Sequence, residues 1–175
     1  MLLILDNLRS AYNVGALFRS ADGAGVTHVY LVGITPAPVK SGQVCLTRAS
    51  KALRKTALGA EWAVPCSEVR SLTRLITRLK GEGYEIIALE EGAHISSLDY
   101  RTWRPKPGRI PALIVGNEVA GLSARTMAQV DTVIHLPMRG MKHSLNVSVA
   151  GGIALYHISA TIERGVDRKR KSDSS

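Results

Sequence analysis

At 175 residues the chain has the size of one ordinary domain, long enough to bury about two-thirds of its unfolded surface without disulfides or metals as staples. With 45% hydrophobic and 21% charged residues it is globular rather than disordered, and one Phe, two Trp and five Tyr give no sign of a base-stacking sheet. Twenty-three Lys and Arg against fourteen Asp and Glu leave a net charge of +9; solubility alone would account for it, but such an excess attracts polyanions and favours nucleic acid as partner.

The first apolar run, residues 2–5, meets Asp6 at once. It is too short for a secretory core, and no later run approaches the ~20 apolar residues of a membrane span, so a soluble, cytoplasmic protein is expected. Residues 2–5, 28–32, 85–89, 112–115 and 132–136 are rich in Ile, Val and Leu and bounded by Gly, Asn, Asp or Pro. They read as strands buried on both faces. A helical pattern lies between them, with Val69, Leu72, Leu75, Ile76 and Leu79 on one face behind a Ser67 cap and an early Glu68. Alternating strands and helices predict an α/β fold with a mostly parallel sheet flanked by helices. Residues 33–42 and 96–111, rich in Pro, read as surface loops. Residues 1–163 form the expected domain, and the polar, aperiodic stretch 164–175, with five basic and two acidic residues, reads as a basic, disordered tail.

Ligands in such sheets bind beyond the carboxyl ends of the strands, so the residues leaving each strand matter most. After the first strand a polar loop runs into Asn13-Val14-Gly15-Ala16-Leu17-Phe18-Arg19. Gly15 and Arg19, four apart, share a helix face, and the Arg fork there suits a phosphate, although spacing alone fits an ordinary surface or inter-helix salt bridge as well. The second exit is Val115-Gly116-Asn117-Glu118, followed by Ser123 as a helix cap. Gly116 allows close approach to the backbone, and Glu118 supplies a carboxylate that could equally be solvated. The third begins at Leu136 and Pro137 and leads through Gly140 to Ser144-Leu145-Asn146, which opens an apolar helix able to receive an anion. Gly151 and Gly152 in that helix cost propensity and point to close packing against another segment or subunit.

Other chemistries lack their signatures. There is no GxGxxG after a strand, no P-loop, no HExxH and no GxSxG. Cys45 and Cys66 stand alone, and His28, His94, His135, His143 and His157 are scattered without ligand spacing, so no metal site is expected. Arg48, Lys51, Arg54 and Lys55 recur at helical spacing and could form a basic stripe, or simply a solvated face.

The three exits together resemble, in order, the three motifs of the SpoU (TrmH-type) RNA ribose 2′-O-methyltransferases of the SPOUT superfamily: Asn13 to Ala16 with Arg19, Val115 to Ser123, and Leu136 through Ser144-Leu145-Asn146 to Ala150. Lys55-Thr56-Ala57-Leu58-Gly59-Ala60-Glu61 resembles a linking segment of the same family. Three collinear motifs are specific where any one would be weak.

The resemblance implies S-adenosylmethionine as methyl donor, tRNA or rRNA as substrate, a homodimer, and a deep trefoil knot in the C-terminal region, which general rules of chain connection would not predict. It also implies that backbone around Leu89, Gly116, Leu136 and Leu145 holds the donor, and that Arg19, with Asn13, Glu118, Ser144 and Asn146, serves the transfer. A guanidinium is a poor proton acceptor, so stabilising the developing alkoxide and gripping the adjacent phosphate suit Arg19 better than acting as base. The first motif begins within a few residues of Met1, so substrate choice is expected to rest on the core, the loops and the tail. The alternatives are a knotted RNA-binding or ribosome-assembly protein without catalysis, and a small-molecule methyltransferase, which the charge disfavours.

Overall fold

The computed structural model describes residues 1–39, 47–90 and 96–172, with the side chains of residues 166–172 left aside. Cys45, His94 and part of the loop 33–42 lie outside the described residues. Among the described residues, seven strands form one sheet in the order β3-β2-β1-β6-β4-β7-β5. The strands are β1 (Leu2–Asp6), β2 (His28–Val32), β3 (Cys66–Val69), β4 (Tyr84–Leu89), β5 (Leu98–Asp99), β6 (Ile110–Val115) and β7 (Thr132–His135). Every pairing between them is parallel. The expected α/β sheet is present.

Both faces of the sheet are covered, which is why its strands are continuous apolar runs rather than alternating ones. Leu3 and Leu5 of β1 point into one core with helices α1 (Ala11–Gly23), α2 (Arg48–Ala57) and α6 (Val147–Ser172), through Val14, Leu17, Phe18, Leu53, Ala154, Leu155 and Ile158. Leu2 and Ile4 point the other way, toward Leu72, Leu75, Ile76 and Leu79 of α4 (Leu72–Gly81). The short helices α3 (Ala60–Ala63) and α5 (Ala124–Met127) complete the described elements.

Several local expectations change. Residues 66–69 are an edge strand, not a helix start, because β3 pairs with β2 from Val29 to Val32. The true cap of α4 is Ser71, whose side chain accepts from the Arg74 amide. β5 occupies part of the stretch read as the loop 96–111. The backbone of α6 stays helical past Arg164 to Ser172, so the segment expected as a tail begins as helix. Ser123 does cap α5, accepting from the Thr126 amide at 3.1 Å.

The glycines in α6 are explained by packing on α1. A Cβ at Gly151 would stand 2.6 Å from the side chain of Leu17, and one at Gly152 3.1 Å from Ser20 Oγ. The two helices therefore approach closely at that point. Burial pushes the free Cys66 thiol up in pKa, and the nearby Glu68 carboxylate adds to the rise. Among the described residues no helix is long and apolar enough to cross a membrane, and no three His, Cys, Asp or Glu stand together to hold a metal ion.

Candidate active site

Three strands end side by side at one cavity. Leu89 closes β4, Val115 closes β6 and Leu136 follows β7, and all three line a cavity of about 260 Å³. This is the carboxyl edge of a parallel sheet, where backbone groups diverge and leave a crevice. Leu89, Leu136, Leu145 and Val115 make an apolar wall; Asn13, Glu118, Ser144 and Asn146 make the polar rim.

Three of these residues, Asn13, Glu118 and Asn146, come from distant points of the chain and are tied together on that rim. The Glu118 carboxylate accepts from the backbone N–H groups of Arg9 (2.9 Å) and Ser10 (3.0 Å) and from Nδ2 of Asn13 (3.1 Å). Asn13 Oδ1 in turn accepts from Nδ2 of Asn146 at 3.1 Å. Asn146 Oδ1 accepts from the Ser148 amide at 2.8 Å and from the Ser148 hydroxyl, and so caps α6. Partial burial pushes the Glu118 pKa up, but the hydrogen bonds from Arg9, its own backbone, Ser10 and Asn13 outweigh it and hold the carboxyl below its ordinary value. Glu118 is thus a clamp on the loop entering α1, and its acceptor sites face protein donors.

A second polar knot fixes the loops on the cavity floor. Asn117 donates from Nδ2 to the Asn7 carbonyl at 2.7 Å, while its Oδ1 accepts from the amides of Val119 and Ala120. Glu90 accepts from the Leu122 amide at 2.8 Å. A Cβ at Gly116 would lie 2.8 Å from the Gly121 carbonyl carbon, so this glycine is needed for the loop to fold back on itself as well as for access to the cavity. Glu90, outside the three motifs, also lines the cavity, as do Asn117 and Met138, which lie within the motifs but were given no role of their own. The position of Glu90, directly after a buried strand, was the available signal.

Arg19 stands elsewhere. From Asn13 to Arg19 is six helical residues, a rise of about 9 Å and a turn of roughly 120°, so the two side chains leave α1 on different sides. Arg19 lines a broader groove of about 710 Å³ between α1, α2 and α6, beside Lys55, Thr56, Val149, Ile153 and Tyr156. Gly15, one turn before Arg19, is covered by α2, since a Cβ there would meet the Leu53 carbonyl oxygen and Thr56 Oγ1 at 2.2 Å each. The groove carries exposed apolar side chains: Leu58 is 67% exposed, Tyr156 55%, Val149 50% and Ile153 38%. Among the described residues Arg19 has no ion pair.

A parallel α/β domain with a small-molecule cavity at the carboxyl ends of its strands, rimmed by residues of three separated segments, defines a ligand-binding α/β class. The chain belongs to the SpoU rRNA methylase family, whose model matches residues 1–156. It is 38% identical over 156 residues to the 23S rRNA (guanosine-2′-O-)-methyltransferase RlmB of Escherichia coli (strain K12), covering 89% of this chain and 58% of that protein. To the corresponding protein of Coxiella burnetii it is 36% identical over 165 residues, covering 90% and 57%. The chain therefore spans a little over half the length of the curated relatives it matches. Among solved structures it resembles an AdoMet-bound rRNA methyltransferase from Sinorhizobium meliloti, with TM-score 0.76, 28% identity and coverage of 89% of this chain and 54% of that one. The A. aeolicus TrmH/SpoU tRNA modifying enzyme matches with TM-score 0.75 and 28% identity, covering 94% and 76%.

Proposed function

We propose that this chain transfers a methyl group from S-adenosylmethionine to a ribose 2′-hydroxyl of rRNA or tRNA, as a homodimer in the cytoplasm. The observation that carries this reading is the gathering of Asn13, Glu118, Ser144 and Asn146 with Leu89, Gly116, Leu136 and Leu145 round one cavity in a chain of the SpoU family. The names of the relatives, 23S rRNA guanosine methyltransferases, favour rRNA.

The cavity suits such a donor in kind. Its leucines offer apolar contact for a heterocycle, the Gly116 backbone lies open at its floor, and Ser144 and Asn146 place polar groups at the rim. The volume is near the low end for small-molecule sites. When bound, the donor supplies an electrophilic methyl on a positively charged sulfur. Glu118 holds the loop before α1, Asn13 links that loop to Asn146, and Asn146 fixes the start of α6, so the rim is rigid before substrate arrives. The same reading extends to the chain path: a C-terminal segment threaded as a trefoil knot is supported by loops after β6 and β7 that meet at one cavity on either side of β4.

Arg19 completes the site from a second copy of the chain. Its placement on an exposed apolar groove, away from its own cavity, supports this: an apolar face pairs with a copy of itself across a two-fold axis, which carries Arg19 to the partner's cavity. There the guanidinium would hold the phosphate beside the reacting ribose and stabilise the negative charge that develops on the 2′-oxygen as its proton passes to solvent water.

The deciding experiment incubates the protein with labelled S-adenosylmethionine and total rRNA or tRNA from cells lacking it, then digests the RNA to nucleosides. Label in a 2′-O-methylnucleoside is expected. Label on a base would overturn ribose specificity, and no label at all would favour a binding protein without catalysis.

A further inference from the structure

We infer that the exposed face of α2 formed by Arg48, Lys51 and Lys55 is the track along which the RNA phosphate backbone approaches Arg19. The inference rests on the ribose-methylation reading for its direction, and on three observations for its place.

The first is geometry. At 3.6 residues per turn, Arg48, Lys51 and Lys55 fall within roughly 60° of one another around the helix, opposite the buried Leu53 and Ala57. All three are exposed, and none has an ion pair among the described residues. Arg54, the fourth cation of the helix, points off this line toward the buried Glu61, with N and O 4.0 Å apart. Among the described residues the stripe is therefore three cations in a row without an acidic partner, and its Lys55 end lines the same groove as Arg19.

The second is the helix itself. Arg48 is the first residue of α2 and Lys51 lies one turn in, with no acidic residue in the first turn. Cations at a helix N-terminus oppose the helix dipole. Lys55, near the C-terminus, is favoured by that dipole; Arg48 and Lys51 are not. Stability of α2 gives no reason for them, whereas a polyanion passing along the face does.

The third is contrast with the other basic stripe. Arg70, Arg74 and Arg78 also line one shallow groove. Arg78, however, pairs with Glu82 at 3.6 Å and lies over the Tyr30 ring, donating to its hydroxyl. Arg74 and Arg78 lie on α4 and Arg70 just before its cap, and α4 packs on the face of the sheet opposite α1, α2 and α6. A strand bound there would be held away from Arg19.

Filter binding of protein-free 23S rRNA across a range of salt concentrations tests the track, comparing the full chain, the double variant Arg48→Gln/Lys51→Gln and the double variant Arg70→Gln/Arg74→Gln. The α2 pair should raise Kd about tenfold or more at ~0.1 M salt and flatten the log–log salt slope by roughly 1.5, the share of two phosphate contacts. Its melting temperature should stay the same or rise, because two cations leave a helix N-terminus, and donor affinity should not change. The Arg70/Arg74 pair should keep the parental slope. Parental affinity and slope in the α2 pair, or equal losses in both pairs, would overturn the inference. Binding needs no turnover: if nucleoside digestion yields no 2′-O-methyl product while the α2 pair still loses RNA affinity, the proposed function fails and the track stands.

Discussion

Two side chains of the first motif leave the same helix toward different cavities. Asn13 faces the cavity and joins Glu118 to Asn146, while Arg19 leaves the same helix toward a second groove. Arg19→Lys keeps the charge and loses the planar fork, so kcat is expected to fall about 100-fold or more, with donor affinity by calorimetry unchanged. Near-normal turnover would refute the geometric role. Glu118 allows a test by pH. Its folded-state pKa lies below its ordinary value of 4.5, so the ionised carboxylate contributes stability above that value and loses it as pH falls through the depressed folded pKa. Burial shifts Asp6 the opposite way, its pKa raised despite a hydrogen bond from Asn7. Comparing Glu118→Gln with the parent chain isolates the clamp: the gap between their melting temperatures should be widest near neutrality and close as pH drops below about 4.5. A gap that held constant into acid would mean that the carboxylate's charge is not what the loop amides hold.

At the scale of elements, the glycines separate into those that admit a neighbour and those that do not. Gly15 lies where α2 crosses α1, and any side chain there would meet the Leu53 carbonyl, a backbone atom that cannot swing aside. Gly15→Ala should destabilise by about 1–3 kcal/mol, as overpacking does, in spite of the better helix former. Gly165 of α6 has open space around it, so Gly165→Ala should stabilise by about 0.5–1 kcal/mol. Chemical denaturation of both variants decides the matter, and a Gly15→Ala protein as stable as its parent would show that the α1 and α2 contact is looser than described. The linking segment after α2 shows the same logic: Leu58 takes a left-handed backbone with φ 53°, and the carboxylate of the buried Glu61 accepts from the Gly59 amide, turning the chain into α3.

On the proposed reading the site is divided between two copies of the chain. Complementation measures that directly. One chain carries Arg19→Ala, and the other carries Ser144→Trp, which fills the cavity from an exposed position. Each should be inactive alone. If Arg19 serves the partner's cavity, exchange between the two chains creates mixed dimers with one intact site, and activity should return to roughly a quarter of the parental value. If Arg19 serves its own cavity, the mixture stays inactive.

Much of this was legible in the sequence because its causes are local. Strands buried on both faces must be continuous apolar runs, so β1, β2, β4, β6 and β7 were readable, and polar residues leaving three of those strands marked the cavity. β3 and β5 were not readable. They are short edge strands, and Cys66–Val69 is a strand only because β2 offers it a partner, while Ser67, Glu68 and Val69 fit a helix start equally well. The order of the strands, with β4 seated between β6 and β7, came from packing between segments far apart in the chain. Motif residues on their own said which chemistry is available. Tertiary structure alone decided that Glu118 is a clamp, that Gly15 makes room for a helix, and that Arg19 faces away from the cavity, because direction on a helix acquires meaning only once the neighbouring helices are in place.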